Sequence, residues 1–277
     1  MDAHETLGQD KPHSARAYDY YLGGKTNYRA DREAAAATMR AWPDVMVAAR
    51  ENRHFMHRAT RYAAEELGIR QFLDIGTGVP TEPNLYQVAH RYQPSARVVY
   101  TDNDPIVLTY ARALLTAGPP GHIDYISADV REPEKVLERA AETLDFDQPV
   151  ALSLIALMHF VVEQPHDVVR TLVGALPSGS VLALSHVTES LDEPGRDASV
   201  AAALREYRAR GIPVRGDVDQ EEMQQFFEGL ELLEPGVVPT CDWRPDLDPA
   251  ATADLHRLPG MISASEAGVW AGVGRKP

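Results

Sequence analysis

The sequence predicts an α/β fold in which a doubly wound, mostly parallel sheet follows an N-terminal helical segment. Two observations support this prediction. From residue 70 onward, short apolar runs alternate with amphipathic stretches, whereas residues 14 to 67 contain no convincing strand. Near-continuous apolar strands are typical of a parallel sheet that is covered on both faces. Right-handed crossovers between such strands place helices on both sides of the sheet.

The N-terminal segment is rich in alanine and arginine, which favour helix over strand. Residues 1–69 are therefore assigned to a helical cap segment and residues 70–277 to the sheet-bearing core, within one integrated domain. Residues 1–13 are polar, and we expect them to be disordered or loosely attached. Within the cap segment, helices are predicted at 14–22, 30–42 and 43–67.

The core is predicted to alternate strands with helices before a different C-terminal ending. The strands are expected at 71–75, 96–102, 123–129, 150–157 and 180–187. The helices are expected at 84–92, 105–115, 133–142, 166–176, 198–209 and 218–229. Two late strands, 232–240 and 268–276, are predicted to form an antiparallel pair at one edge of the sheet. The Pro/Asp-rich stretch 241–259 is predicted to be a long surface loop.

Composition and charge limit the classes of partner. The chain has 277 residues, a formal net charge of −14 and a sequence pI of about 5.1. A surface this acidic repels a phosphate backbone, so neither nucleic acid nor an anionic membrane is expected as a partner. The single cysteine, Cys241, excludes an intrachain disulfide and a cysteine metal cluster. The polar N-terminus lacks the apolar region of a signal peptide, so a cytoplasmic location is expected.

A glycine turn follows the first predicted strand, in the stretch QFLDIGTGVPT. The dinucleotide fingerprint G-x-G-x-x-G needs a third glycine, which is missing here. Asp74 lies near the carboxyl end of the strand, where open α/β sheets bind their ligands. Its carboxylate would repel a pyrophosphate and attract a cation. The turn itself, Gly76-Thr77-Gly78, allows the backbone to approach a ligand closely.

Acidic residues also end the next two strands. Asp102 ends the second strand, at about the place where doubly wound folds use an acid to bind ribose hydroxyls, and Asn103 follows it. The third strand ends at Asp129-Val130, where a carboxylate can accept from an adenine amino group and a backbone N–H can meet a ring nitrogen. Since the carboxyl ends of parallel strands converge in one crevice, these acids predict a site for a nucleoside with positive charge. S-adenosylmethionine, which carries an ammonium and a sulfonium, fits that pattern.

These features resemble a class I S-adenosylmethionine-dependent methyltransferase. The resemblance is closest to a largely bacterial family, the S-adenosyl methyltransferase family 19 type, formerly a domain of unknown function. It covers nearly the whole chain and implies a Rossmann-like core with S-adenosylmethionine as the cofactor. The stretches that carry it are ARAYDYYLGGKTNYRADRE (15–33), RENRHF (50–55), RQFLDIGTGVPT (70–81), ARVVYTDNDPIVL (96–108), HF (159–160), SHVT (185–188) and FFEGLELLEPGVV (226–238).

The resemblance also implies roles for residues of the cap segment and of the fourth strand. Tyr18, Lys25 and Arg53 are expected to close the cofactor site, the two basic residues by pairing with the α-carboxylate of the ligand. His159 follows the fourth strand, where methyltransferases of this fold meet their acceptor. It is expected either to accept a proton or to orient the acceptor, with a purely structural histidine as an equal alternative. The acceptor itself is expected to be a small molecule.

Other functions remain open at this level. One alternative is a catalytically silent protein that binds or senses S-adenosylmethionine. Another is a nicotinamide-dependent oxidoreductase, which the missing third glycine and the Asp74 carboxylate disfavour. Gly23-Gly24-Lys25-Thr26 imitates the end of a P-loop, but the preceding residues are predicted to be helical and the first glycine of that motif is absent. The ten histidines show no metal-binding spacing, so no metal site is expected.

Overall fold

The computed structural model describes residues 8–114, 120–194, 199–247 and 261–277. Its strands are β1 (Gln71–Ile75), β2 (Arg97–Asp102), β3 (His122–Ser127), β4 (Ala151–Leu154), β5 (Val181–Val187), β6 (Glu231–Leu232), β7 (Val238–Pro239) and β8 (Val269–Arg275). Its helices are α1 (Ser14–Tyr21), α2 (Arg29–Ala41), α3 (Val45–Glu65), α4 (Leu85–Tyr92), α5 (Pro105–Leu114), α6 (Pro133–Ala140), α7 (Pro165–Gly174), α8 (Val200–Ala209), α9 (Gln220–Gln225) and α10 (Ala264–Ala267).

All eight strands belong to one sheet, in the order β3-β2-β1-β4-β5-β8-β6, with β7 also paired to β8. The five strands from β3 to β5 are parallel, and β8 runs antiparallel to β5 along its full length. The chain winds outward in both directions from β1, which lies in the middle of the parallel part. The predicted doubly wound sheet with an antiparallel edge is therefore confirmed. As in other folds of this kind, the carboxyl ends of β1 to β4 converge at one edge.

Two strand predictions were too long. The stretch 232–240 forms two short strands, β6 and β7, because Pro235 cannot donate to the ladder and Gly236 turns the chain with a φ of 88°. The fourth strand ends at Leu154, since Ala156 adopts a positive φ of 52° and takes the chain out of the ladder. Residues 155–160 consequently form a loop at the edge where the parallel strands end.

Two segments predicted to be loosely attached or exposed are tied to the core. Trp243 is fully buried and packs edge-on against Phe55, and Leu247 is buried too, so the surface-loop prediction is wrong for these two residues, while 248–259 lie outside the described residues. At the N-terminus, Arg16 donates to the carbonyls of Gly8 and Lys11 at 3.1 and 2.9 Å. These bonds attach residues 8–13 to α1, whereas 1–7 fall outside the described part of the chain.

Helix α3 belongs to two layers of the molecule. Its second half places Phe55, Met56 and Ala59 in the apolar cluster that covers Phe72 and Val98 of the sheet. Its first half contributes to a second cluster with α1, α2 and α8, which together form a roof over the carboxyl edge of the sheet. At about 1.5 Å of rise per residue, a helix of this length reaches from one layer to the other. None of the described helices is both long and apolar enough to cross a membrane.

A buried chain of hydrogen bonds joins the roof to the sheet. Asn52 lies at its centre and is almost fully buried on α3. Its Oδ1 accepts from Ser185 Oγ of β5 at 2.6 Å, and its Nδ2 donates to the hydroxyl of Tyr18 on α1 at 3.0 Å. Ser185 Oγ in turn accepts from the backbone amide of Ala156 at 2.9 Å. One side chain therefore fixes α1, α3, β5 and the loop after β4 relative to one another.

Replacing Asn52 with Ala should destabilise the protein by about 1–3 kcal/mol, because the buried hydroxyl of Ser185 loses its acceptor and that of Tyr18 loses a donor. Urea unfolding followed by circular dichroism measures this change. Arg50→Ala provides the matched control, since Arg50 is exposed on the same helix. Equal unfolding free energies for the two variants would show that the bond chain contributes little to stability.

Candidate active site

A cavity lies between the carboxyl edge of the sheet and the roof formed by α1, α2, α3 and α8. Its empty volume is about 1520 Å³, including the solvent at its mouth. Lys25 is exposed and does not line it. The other predicted site residues all line it, namely Tyr18, Arg53, Asp74, Gly76, Thr77, Gly78, Asp102, Asn103, Asp129, Val130 and His159.

The turn after β1 is held open to the cavity by its glycines. Gly76 and Gly78 adopt positive φ angles of 73° and 67°, which side chains other than glycine rarely tolerate. A Cβ at Gly76 would meet the Leu157 side chain at 2.6 Å. Thr77 fastens the turn, because its hydroxyl donates to the carbonyls of Asp74 and Thr101. Leu157 thus packs against Gly76, whereas a Cβ at Gly78 would meet only Ala15 Cβ, at 3.9 Å, so a ligand can approach the backbone closely at Gly78.

Asp102, at the end of β2, organises the two loops beside it. Its Oδ2 accepts from the amide of Gly78 and its Oδ1 from the amide of Asp104, both at 2.9 Å. Burial raises the pKa of Asp102, although these two amide bonds oppose the shift. Each carboxylate oxygen has a second lone pair, so the side chain retains acceptor capacity toward the cavity.

Asp129 is held by a neighbour that the sequence analysis did not single out. Arg131 Nε donates to Asp129 Oδ1 at 2.9 Å, and Asn103 Nδ2 donates to Oδ2 at 3.2 Å. The bonds from Arg131 are the main reason that the pKa of Asp129 falls to about 2. The Asp129 carboxylate is thus ionised and fixed in position. The sequence does contain a signal for this ion pair, because Arg131 follows Asp129 by only two residues.

Asp74 has the opposite environment. It is buried at the end of β1, and burial raises its pKa to about 6, opposed by a hydrogen bond from Ser153 and by the charge of Arg53. The negative charge of Asp102 adds to the shift. The carboxylate is ionised at neutral pH but only marginally stabilised. A positively charged ligand group beside Asp74 would therefore gain a favourable interaction that the empty protein only partly supplies.

Arg53 of α3 faces Asp74 across the cavity and is only partly used by the protein. Its Nη2 donates to the carbonyls of Thr81 and Pro83, which anchors the loop after the glycine turn. Its Nε is buried and has no hydrogen-bond partner among the described residues. Burial lowers the pKa of Arg53, whereas the nearby Tyr18 and Asp74 raise it. An unpaired guanidinium donor next to a cavity is suited to an anionic ligand group.

His159 lies in a short 3-10 turn, Met158–Phe160, after the loop that ends β4. Burial lowers its pKa well below the ordinary value, and the ring of His186, 5.5 Å away between centroids, adds to the shift. The imidazole is therefore neutral at pH 7. Its Nδ1 accepts a long bond of 3.4 Å from the amide of Val187, which leaves the proton on Nε2. This arrangement suits a donor that orients an acceptor better than a proton acceptor.

Several lining residues escaped the sequence analysis. His13 caps α1 through its Nδ1 and lies 3.4 Å from Asp104 Oδ2, beside the loop that follows Asp102. Asn52, Trp42 and Tyr207 come from three different helices of the roof. No local motif marks these residues, because they meet only through the packing of distant helices. Within the described ranges, no three His, Cys, Asp or Glu side chains cluster so that they could hold a metal ion.

Comparison with known proteins agrees with this geometry. A DUF574 family protein from Streptomyces avermitilis is 45% identical, with a TM-score of 0.89, and the match covers 98% of this chain and 100% of that one. A candidate methyltransferase from Thermobifida fusca is 37% identical, with a TM-score of 0.84 and 99% of each chain covered.

More distant structures share the fold alone. The plantazolicin methyltransferase BpumL is 13% identical, with a TM-score of 0.53 over 95% of this chain and 96% of that one. A comparison with curated proteins gives no match. The family model described as S-adenosyl methyltransferase matches residues 1–277. The chain therefore belongs to the S-adenosyl methyltransferase family, and S-adenosylmethionine is its cofactor.

Proposed function

We propose that this protein transfers a methyl group from S-adenosylmethionine to a small-molecule acceptor that binds beside His159. The observation that supports it is a single continuous cavity, which joins the strand-end acids Asp74, Asp102 and Asp129 to His159 and the roof helices. A net charge of −14 further disfavours a nucleic acid acceptor. In the plantazolicin methyltransferase structures, the bound ligands are S-adenosylhomocysteine and desmethylPZN analogues, and we extend the two-ligand arrangement to this chain.

The residues around the cavity suit each part of the cofactor. We assign Asp102 to the ribose hydroxyls, and Asp129 with the backbone of Val130 to the adenine. Asp74 and the glycine turn are assigned to the methionine end, where a carboxylate favours the positive groups. The unpaired Nε of Arg53 supplies a donor for the α-carboxylate. Lys25 has no part in this assignment, because it is exposed outside the cavity.

The chemical demands on the protein itself are then modest. The bound cofactor supplies a methyl group that is already activated by its sulfonium. The protein must align an acceptor with that group and exclude water. The roof helices exclude water because their inward faces are buried and apolar. His159 holds the acceptor through Nε2–H, and Phe160, packed 4.3 Å from the His159 ring centroid, limits where that acceptor can lie.

A transfer assay tests the proposed function. Cofactor with a tritiated methyl group is incubated with the protein and with either the small-molecule fraction of a cell extract or purified RNA, DNA and protein fractions. We expect label in an extractable small molecule. Label that appears only in a macromolecular fraction would contradict the proposed acceptor class. Label in no fraction, together with normal binding of S-adenosylhomocysteine, would favour a silent binding protein.

Asp102→Ala should weaken S-adenosylmethionine binding by about 1–3 kcal/mol, because ribose hydroxyls lose a charged acceptor. Calorimetric titration of the folded variant measures this. Asp102 also holds the amides of Gly78 and Asp104, so loop disorder is a second way to lose affinity. Asp104→Ala serves as the control, since it removes the Asp104 carboxylate that caps α5 but leaves both amide bonds to Asp102. Unchanged affinity in Asp102→Ala would remove this residue from the site.

The pKa of Asp74, raised to about 6, predicts a pH-dependent affinity. Below that pH the carboxyl group is protonated and neutral, so its attraction for a cation is lost. Affinity for S-adenosylmethionine should fall as the pH drops through about 6, by at most about tenfold per pH unit. Asp74→Asn should bind weakly throughout and lose this part of the pH dependence. Calorimetric titrations of both proteins with S-adenosylmethionine, at pH values from about 5 to 8, measure this difference. If the affinity falls equally with pH in the two proteins, a group other than Asp74 causes the pH dependence.

A further inference from the structure

The lining of the cavity extends past His159 onto the roof helices, and we call the part that these helices bound the inner compartment. Six of the residues that bound this inner compartment are Tyr21, Trp42, Val45, Ala203, Leu204 and Tyr207. Each is buried or half-buried, and all six pack in the apolar cluster of the roof while they also line the cavity. They come from α1, the end of α2, α3 and α8. The inner compartment is therefore a space between helices. It is continuous with the part of the cavity that Arg53, Asp74, Asp102 and Asp129 line, which we call the cofactor cradle.

The inner compartment contains no formal charge. The charged residues that line the cavity, Arg53, Asp74, Asp102 and Asp129, belong to the cradle side, and the histidine between the two sides, His159, is neutral. The polar side-chain atoms of the six residues are the indole N–H of Trp42 and the hydroxyls of Tyr21 and Tyr207. The two hydroxyls lie 3.0 Å apart. Thr38 is a further hydrogen-bond partner of Tyr21, so the pair offers lone pairs to a hydroxyl of a ligand.

The free energy of moving a ligand from water into the inner compartment determines which ligands can bind there. An ion moved into an apolar space without a counter-ion loses its hydration and receives little in return, so carboxylates and ammonium groups are excluded. A flat ring gains from Trp42 and Phe160, because aromatic faces and edges attract each other beyond the burial of area. A single hydroxyl on such a ring can meet the Tyr21–Tyr207 pair or the Nε2–H of His159. The tyrosine hydroxyls and the imidazole N–H are both uncharged polar partners.

We propose that the inner compartment binds the methyl acceptor and selects a neutral, largely apolar aromatic molecule that carries a hydroxyl group. This inference rests on the proposed function and adds the chemical class of the acceptor to it. The cradle, with its four charged side chains, holds the polar cofactor, whereas the uncharged inner compartment holds the acceptor. Specificity for the acceptor therefore comes from the roof helices and not from the strand ends.

The first test compares two probes of the same shape and different charge. Protein saturated with S-adenosylhomocysteine is titrated by calorimetry with 2-naphthol, which is neutral at pH 7, and with 2-naphthoate, which is an anion. We expect 2-naphthol to bind at least about tenfold more tightly. Equal affinities, tighter binding of the anion, or no binding of 2-naphthol would overturn the proposal. Absence of S-adenosylhomocysteine binding would instead count against the proposed function.

The second test locates the probe. Ala203→Phe fills the inner compartment from α8, whereas Ala202→Phe, next along the same helix and outside the cavity lining, is the matched control. We expect Ala203→Phe to lose 2-naphthol binding by about tenfold or more while it still binds S-adenosylhomocysteine. Val214→Phe fills the same space from the loop after α8 and replaces the first variant if that one fails to fold. Retained 2-naphthol binding in a folded filling variant would overturn the proposal.

Discussion

The side-chain amide of Asn52 sets the distance between the two halves of this molecule. It is buried, and it pairs with a hydroxyl of the sheet on one side and a hydroxyl of the first helix on the other. A buried amide that loses such partners is costly, so the roof cannot slide along the sheet edge without breaking the pairing. The strained backbone of Ala156 depends on the same chain, because its amide donates to Ser185. These contacts therefore link the roof to the sheet beside the cavity, which Asn52 and Tyr18 also line.

Three strand-end acids that look alike in the sequence differ in electrostatic state. Asp129 is paired with Arg131, Asp102 accepts from two backbone amides, and Asp74 is bonded to Ser153 but is destabilised as an anion by burial. Burial therefore leaves an incompletely stabilised negative charge at the end of β1. Arg53 approaches the same place from α3 with an unsatisfied donor. A zwitterionic amino-acid end matches one unsatisfied charge of each sign, whereas a pyrophosphate would match only the arginine.

Sequence patterns predicted the parallel strands because apolar runs and strand-end acids are local features. They failed where distant contacts decide the outcome. Trp243 sits in a Pro/Asp-rich stretch typical of a loop, yet Arg58 and Phe55 hold it in the core. Pro235 and Gly236 split a stretch whose composition suits a strand. The cradle residues were predictable from the turn and strand ends. The inner compartment was not, since its walls come from helices that are far apart in the sequence.

The sharing of α3 between roof and sheet has a practical consequence. A roof that formed a separate unit would melt by itself, and a ligand held there would leave the melting of the sheet unchanged. Here one continuous helix carries side chains into both apolar clusters. We therefore expect unfolding to be coupled across the molecule, so that a ligand bound under the roof raises the melting temperature of the whole chain by mass action. Screening metabolites by thermal shift in the presence of S-adenosylhomocysteine would then report on the proposed acceptor site.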